Sequence, residues 1–132
     1  EEQVEWFKNL SKTRSSKRYV IIHKPDYKLC GIIRLDRIDL LNATAEIGAD
    51  IQPEFRRRGI AYESYKLIIN YLFSSMNLNR LQLVTLSRNI PALTLYKKLG
   101  FKVEGTLRES IKRNNNFENL CLMGLLKSDW RI

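Results

Sequence analysis

The strongest constraint on the fold is a strand that runs through a basic turn directly into a long amphipathic helix. Residues 43–51 (ATAEIGADI) have the side-chain alternation of a strand, which Pro53 ends. After the turn at 54–61 (EFRRRGIA), apolar side chains recur at helical spacing: Tyr65, Ile68, Ile69, Leu72, Phe73 and Met76. A unit of this kind predicts a sheet that is covered by helices.

The remaining elements extend this unit in both directions. The patterns predict a short amphipathic helix over 1–10, strands over 18–24, 29–35 and 80–86, a helix from Asn89 to Gly100, and strands over 101–112 and 117–127 joined by a turn at 114–116. The order is helix, three strands, helix, strand, helix and two strands. It favours an α/β fold with a mixed sheet. Because the sequence has no internal repeats or linker-like stretches, we expect residues 1–132 to form a single domain.

The chain is strongly basic, with 23 Lys and Arg against 14 Asp and Glu, a net charge of +9. Such an excess favours a phosphate-rich partner, either nucleic acid or a phosphorylated small molecule, and weighs against a polycationic substrate. A basic nucleic-acid-binding module without catalysis is therefore one alternative. No zinc finger, aromatic RNA-binding motif or basic heptad region supports that alternative.

The two cysteines indicate the redox state of the compartment in which the protein works. Cys30 and Cys121 both lie in apolar runs, as expected for buried free thiols in a reducing, cytoplasmic setting. His23 is the only histidine and stands at the end of a predicted strand, so we expect no metal site. No run of 18 apolar residues occurs, and we expect no membrane partner.

The basic turn has the chemistry of a phosphate cradle. The first N–H groups of the helix after it lack helical partners, and the helix dipole favours an anion there. Gly59 leaves room for close approach, while Arg56, Arg57 and Arg58 supply charged donors. The other interpretation is a basic surface turn before a core helix. The turn alone does not decide between the two.

Two motifs together resemble a known family. RRRGIA (56–61) resembles the acyl-coenzyme A loop of the GNAT N-acetyltransferase superfamily, and NIPALTLYKKLGF (89–101) resembles its second signature. Their order and the distance between them match as well. GFKVEGTLRE and MGLLKSDW resemble the branch that acetylates ribosomal-protein N-termini, spermidine and nucleotide-linked amino sugars.

The resemblance implies a central mixed sheet in which two neighbouring parallel strands splay apart around the cofactor arm. It implies transfer from acetyl-CoA, as co-substrate, to a primary amine by direct attack in a ternary complex, without a metal. In the family, a first strand and helix usually precede a segment like EEQVEWF, so their absence predicts N-terminal truncation.

The resemblance also assigns roles to residues. Tyr96 would protonate the departing thiolate, and Glu46 is the candidate base, with Asp50 as the weaker alternative. An ion pair to a neighbouring arginine or lysine is the competing interpretation of Glu46. The predicted cofactor-binding residues are Ile51, Arg56, Arg57, Arg58, Gly59, Ile60, Ala61, Tyr62, Asn89, Tyr96 and Lys98. Asn89 is also a good helix cap, and Lys98 is equally compatible with a solvated helix face.

The acceptor is the least constrained part of the prediction. A nucleotide-linked amino sugar suits the basic charge, and Arg34, Arg37 and Arg108 are its predicted contacts. A protein N-terminus of the ribosomal-protein type is the alternative, and a polyamine fits the net charge poorly. The partner is therefore a small-molecule or peptide amine. The chain is compatible with a monomer or a homodimer, the latter through an edge strand of the last hairpin.

Overall fold

A seven-stranded mixed sheet carries two helices on one of its faces. The computed structural model describes residues 3–8 and 15–130. The elements are β1 (Val4–Lys8), β2 (Lys17–His23), β3 (Lys28–Asp39), β4 (Thr44–Ile51), α1 (Ile60–Ser74), β5 (Arg80–Leu86), α2 (Ile90–Leu99), β6 (Lys102–Arg113) and β7 (Asn116–Leu126). Short 3₁₀ turns at Pro53–Phe55 and Lys127–Asp129 precede α1 and follow β7. The strand order is β1-β2-β3-β4-β5-β7-β6.

Both predicted core helices are confirmed, because their start and stop signals are local. The αL residue Gly59 precedes α1, whose inward side chains Ile60, Tyr65, Ile68, Ile69, Leu72 and Phe73 are buried. At α2, the Asn89 side chain accepts a hydrogen bond from the Ala92 N–H at 3.3 Å. Gly100 ends α2 with a φ of 106°, the left-handed conformation that favours glycine.

The sheet opens where its two parallel strands diverge. β4 and β5 pair only from Thr44↔Arg80 to Glu46↔Gln82, and the other neighbouring strands run antiparallel over longer stretches. Beyond Glu46, no register pair joins β4 to β5 in the part of the chain described. The predicted α/β class, with a mixed sheet and splayed parallel strands, is confirmed.

The predicted N-terminal helix is wrong. Residues 4–8 form a strand that pairs antiparallel with β2, from Val4↔His23 to Lys8↔Tyr19. Val4 is buried, and Trp6 packs edge-on against Tyr19 and Tyr71, at 5.1 and 4.8 Å between ring centroids. The alternation of Val4 and Trp6 suits the open edge of β2, and this tertiary pairing outweighs a three-residue helical pattern. Residues 1, 2, 9 and 10 of that prediction lie outside the described ranges.

The second face of the sheet is polar and carries ion pairs between neighbouring strands. Arg18 contacts Asp36, Arg34 contacts Asp50 and Arg80 contacts Glu104, at 2.9, 2.9 and 2.7 Å. The helices cover the opposite face, where Tyr19, Ile21, Ile33, Leu35, Ala45 and Ile47 are buried. We call the polar side the open face.

The predicted state of the cysteines is confirmed. Cys30 and Cys121 are free and buried, and burial raises the pKa of the Cys30 thiol to about 11. None of the helices within residues 3–8 and 15–130 is long and apolar enough to cross a membrane.

Gly31 allows an unusually close approach of β3 to β4. A Cβ atom at this position would lie 2.2 Å from the Asp50 carbonyl oxygen and 3.0 Å from the Ile51 Cα. We expect Gly31→Ala to lower the free energy of unfolding by about 2–3 kcal/mol, since two backbones must separate to accept the methyl group. Chemical denaturation measures the change.

Gly105→Ala is the matched control for this substitution. A Cβ atom on Gly105 would meet nothing within 4 Å. The control should change stability by no more than about 0.5 kcal/mol. Equal losses in the two variants would contradict the close-approach argument.

Candidate active site

The divergence of β4 and β5 creates an opening beside Ile51, the last residue of β4. Half of the backbone N–H and C=O groups of residues 47–51 point away from β3, towards the gap that β5 leaves. A cavity of about 250 Å³ adjoins this end of β4 and is lined by Leu29, Gly31, Ile32, Asp50, Ile51 and Gln52. The end of β4 therefore offers backbone groups to an extended ligand on the side of the gap, next to a cavity that β3 and β4 line.

The basic turn between β4 and α1 is held by its own side chains. Arg56 donates from Nε to the Ile51 carbonyl at 3.1 Å, and Arg58 donates from Nη1 to the Glu54 carbonyl at 3.4 Å. Phe55 is buried between the His23 ring, 5.2 Å away, and the Arg58 guanidinium, 5.1 Å away. Two of the three arginines thus brace the turn, a role that the sequence motif did not reveal.

The N-terminus of α1 faces open space at the end of this turn. The first intrahelical bond runs from the Glu63 N–H to the Gly59 carbonyl at 3.1 Å, so the N–H groups of Ile60, Ala61 and Tyr62 precede the helical ladder. A Cβ atom on Gly59 would meet nothing within 4 Å. Unpaired N–H groups, the helix dipole and the guanidinium groups suit an anion such as a pyrophosphate.

Lys98 of α2 reaches across to α1. Its Nζ lies 4.5 Å from the centroid of the Tyr62 ring, and the Lys66 Nζ lies 5.5 Å from the same ring. A cavity of about 390 Å³ lies beside these side chains. The Lys98 ammonium thus contacts an aromatic face next to the basic turn while its side chain stays exposed, so the cofactor-contact and solvated-face interpretations both fit the structure.

Tyr96 lies on the helix side of the sheet, in contact with Tyr65 of α1. The two hydroxyl oxygens are 3.4 Å apart, and the rings are perpendicular with centroids 5.6 Å apart. Burial, followed by the neighbouring Tyr96, raises the pKa of Tyr65 well above its ordinary value. In the sequence Tyr65 belongs only to the apolar stripe of α1, and no local signal pairs it with Tyr96.

Glu46 lies on the open face and belongs to the last residue pair that joins β4 to β5. It sits opposite Asp36 in β3 and Gln82 in β5, and it is half-buried. Among the residues described, its carboxylate makes no recorded hydrogen bond or ion pair. Arg34, the neighbouring cation, instead lies over Gly48 and binds Asp50 at 2.9 Å. The ion-pair interpretation thus applies to Asp50 and leaves the Glu46 carboxylate available.

The three arginines predicted to contact an acceptor do not meet. Arg34 is paired with Asp50. β3 extends four residues beyond the predicted strand and is irregular at that end. Arg37 lies in this extension, at the opposite end of β3 from the residue that pairs with Ile51. Arg108 lies at the Leu86 end of β5 and lines a broad cavity of about 700 Å³ with Glu109 and Asn119. Among the described residues Arg108 has no ion pair, and it lies towards the end of β5 that does not pair with β4.

No group of three or more His, Cys, Asp or Glu within residues 3–8 and 15–130 could hold a metal ion.

Several known proteins are similar to this chain in sequence and in fold. The acetyltransferase (GNAT) domain matches residues 1–102. The putative ribosomal N-acetyltransferase YdaF of Bacillus subtilis is 33% identical over 105 residues, covering 80% of this chain and 57% of the relative. Spermidine N(1)-acetyltransferase of Escherichia coli K12 is 31% identical over 117 residues, covering 89% of this chain and 62% of the relative. The chain therefore spans less than two thirds of either protein.

A solved structure shares the architecture. It is spermidine N-acetyltransferase from Vibrio cholerae in complex with CoA and spermine, with a TM-score of 0.84 and 28% identity. The match covers 88% of this chain and 68% of that one. Another solved structure of the Vibrio cholerae enzyme is described as dodecameric.

Proposed function

The chain belongs to the GNAT acetyltransferase family, and on that premise we propose that its opening delivers a small primary amine to the thioester of acetyl-CoA between Glu46 and Tyr96. The domain is an acetyl-CoA-dependent N-acetyltransferase of the GNAT type. The observation that carries the proposal is the placement of these two side chains. One lies on the open face, the other lies on the helix side, and the divergence of β4 and β5 separates them.

The proposed cofactor contacts follow the order of the elements. Ile51 pairs with the pantetheine arm through its backbone N–H, because its carbonyl already accepts from Arg56, and Asn89 contacts the arm with the amide nitrogen that helix capping does not use. The N–H groups of Ile60, Ala61 and Tyr62 receive the pyrophosphate, with Arg56, Arg57, Arg58 and Gly59 around it. Lys98 adds a positive charge beside Tyr62.

In the proposed reaction Glu46 takes one proton and Tyr96 gives one, so no net charge is left on the products. The amine nitrogen bonds to the acetyl carbon, and its proton passes to the Glu46 carboxylate. Backbone N–H groups near Ile51 stabilise the tetrahedral oxyanion. When the carbon–sulfur bond breaks, the sulfur keeps the electron pair and takes the Tyr96 hydroxyl proton. The products are the acetylated amine and the free thiol, and solvent restores the two side chains.

For the acceptor we favour a linear polyamine. On the open face the Glu46 carboxylate lies opposite Asp36, which Arg18 binds at 2.9 Å, and Glu46 itself has no ion pair among the described residues, so it can receive an ammonium group. The similarity to spermidine acetyltransferases supports the same acceptor class. A nucleotide-linked amino sugar is the second candidate, supported by Arg108 and the broad cavity beside it. The similarity to a putative ribosomal acetyltransferase makes peptides with free N-termini the third.

A thiol-release assay with acetyl-CoA tests the reaction and the acceptor together. The panel contains spermidine, a UDP-linked 4-amino sugar and peptides with free N-termini. Preferred turnover of spermidine supports the proposal. Preferred turnover of the sugar overturns the polyamine assignment, and Arg108→Gln should then impair it while Arg37→Gln, at the far end of β3, should not. If acetyl-CoA neither turns over nor raises the melting temperature, the placement of the cofactor is wrong.

The assembly state remains a proposal of monomer or homodimer. The exposed edge strand β6, whose Val103, Leu107 and Ile111 side chains are partly exposed, is the surface a second copy would use. Light scattering on the purified protein measures the state, and a larger particle would contradict the proposal.

A further inference from the structure

We propose that Tyr65 is a positioning residue for the reaction: its buried hydroxyl donates a hydrogen bond to the Tyr96 oxygen and so directs the Tyr96 proton towards the departing sulfur. The inference rests on the proposed role of Tyr96. It adds a residue of α1 that neither signature motif includes, and it follows from the contact between the two hydroxyl groups.

The direction of the hydrogen bond follows from burial. Tyr65 is 1% exposed, and the contact recorded for its hydroxyl is Tyr96, with the two oxygens 3.4 Å apart. A buried hydroxyl donor that lacks an acceptor is costly, whereas the partly exposed Tyr96 can donate elsewhere. The arrangement with the lower cost therefore has Tyr65 as donor and Tyr96 as acceptor. In this arrangement the Tyr96 proton does not point back towards α1.

The same contact becomes stronger during the reaction. At 3.4 Å the contact is longer than an ordinary bond between hydroxyl groups, so it contributes little to the resting state. When Tyr96 loses its proton, its oxygen becomes an anion, and hydrogen bonds to anions are shorter and stronger. An interaction that strengthens only as charge develops accelerates the chemical step and leaves ground-state binding unchanged.

The surroundings of Tyr65 keep its hydroxyl protonated, so that it can donate a hydrogen bond. Burial and the proximity of Tyr96 raise its pKa, so its hydroxyl stays protonated while Tyr96 cycles. Two charged groups act on Tyr65, Arg34 of β3 and Asp50 of β4, which form an ion pair. Their effects on the Tyr65 pKa oppose each other, since the arginine lowers it and the aspartate raises it. Phe101, 6.0 Å from Tyr96 between ring centroids, supplies an apolar contact.

Tyr65→Phe tests the inference, because it removes one oxygen and keeps the ring. We expect kcat to fall about tenfold, the size of a lost hydrogen bond to a charged acceptor, with little change in the KM for acetyl-CoA. Without this donor Tyr96 holds its proton more tightly, so the alkaline limb of the kcat profile should move to higher pH.

Tyr19→Phe is the matched control. Tyr19 is also fully buried, and its hydroxyl contacts only the Met76 sulfur at 3.9 Å among the recorded partners, in another part of the core. A purely structural effect would lower stability in both variants without moving the pH limb. If Tyr65→Phe leaves kcat and the limb unchanged while Tyr96→Phe abolishes turnover, the positioning role is wrong. If Tyr96→Phe also leaves kcat unchanged, the failure lies in the proposed function.

Discussion

Replacing Tyr96 with phenylalanine should lower kcat by about 100-fold or more while coenzyme A binding changes little. The substitution removes the proton that the departing sulfur takes, and proton donors at this step typically contribute 10²–10⁴-fold. The ring stays in place because its contacts with Tyr65 and Phe101 are aromatic. Steady-state thiol release gives kcat, and calorimetry gives the affinity for coenzyme A.

The split between rate and binding is the decisive readout for this variant. A role in holding the cofactor alone would weaken coenzyme A binding and leave kcat unchanged. Weaker binding with an unaltered kcat would therefore remove Tyr96 from the chemical step. An unchanged kcat would show that Tyr96 is not the acid that the motif predicts.

Replacing Glu46 with glutamine should slow turnover about 100-fold at neutral pH and shift the pH–rate profile towards alkaline values. A lysine-like amine with a pKa near 10.4 is mostly protonated at pH 7, so attack requires a base. Glutamine preserves the size of the side chain but cannot take a proton. As the pH rises and the amine loses its own proton, the rate of the variant should approach that of the unaltered chain.

Asp50→Asn distinguishes the two candidate carboxylates. Asp50 lies on the same face of β4 but is bound by Arg34 at 2.9 Å and is largely exposed, so we expect a much smaller effect on rate. An unaltered acidic limb in Glu46→Gln would clear Glu46 of the base role. Loss of that limb in Asp50→Asn instead would transfer the role to Asp50.

The parts of the fold that local signals specify were predictable from the sequence. Asn89, Pro91 and Gly100 bracket α2, and the apolar periodicity of α1 persists over four turns. Residues 4–8 lack such signals. The spacing of Val4 and Phe7 fits a helix, whereas the spacing of Val4 and Trp6 fits a strand. The free edge of β2 decided their conformation, and that edge is a tertiary feature.

The site was predictable only as far as the motifs extend. The resemblance predicted the splay of two parallel strands, and the structure shows β4 and β5 parting after Glu46. It could not show that Arg34 would choose Asp50 over Glu46, because that choice depends on how a long side chain crosses Gly48. It also could not place Tyr65 beside Tyr96, 31 residues apart in the chain, since their meeting depends on how α1 and α2 cross.

The bracing of the basic turn also bears on how the cofactor binds. With Phe55 held between His23 and Arg58, and Arg56 bonded to the end of β4, residues 52–59 already have the shape that a phosphate would meet. A segment that is ordered beforehand loses little conformational entropy on association. Binding of coenzyme A should therefore proceed in a single kinetic step without a slow closing phase. The heat-capacity change on binding should also lack the large negative contribution that coupled folding makes.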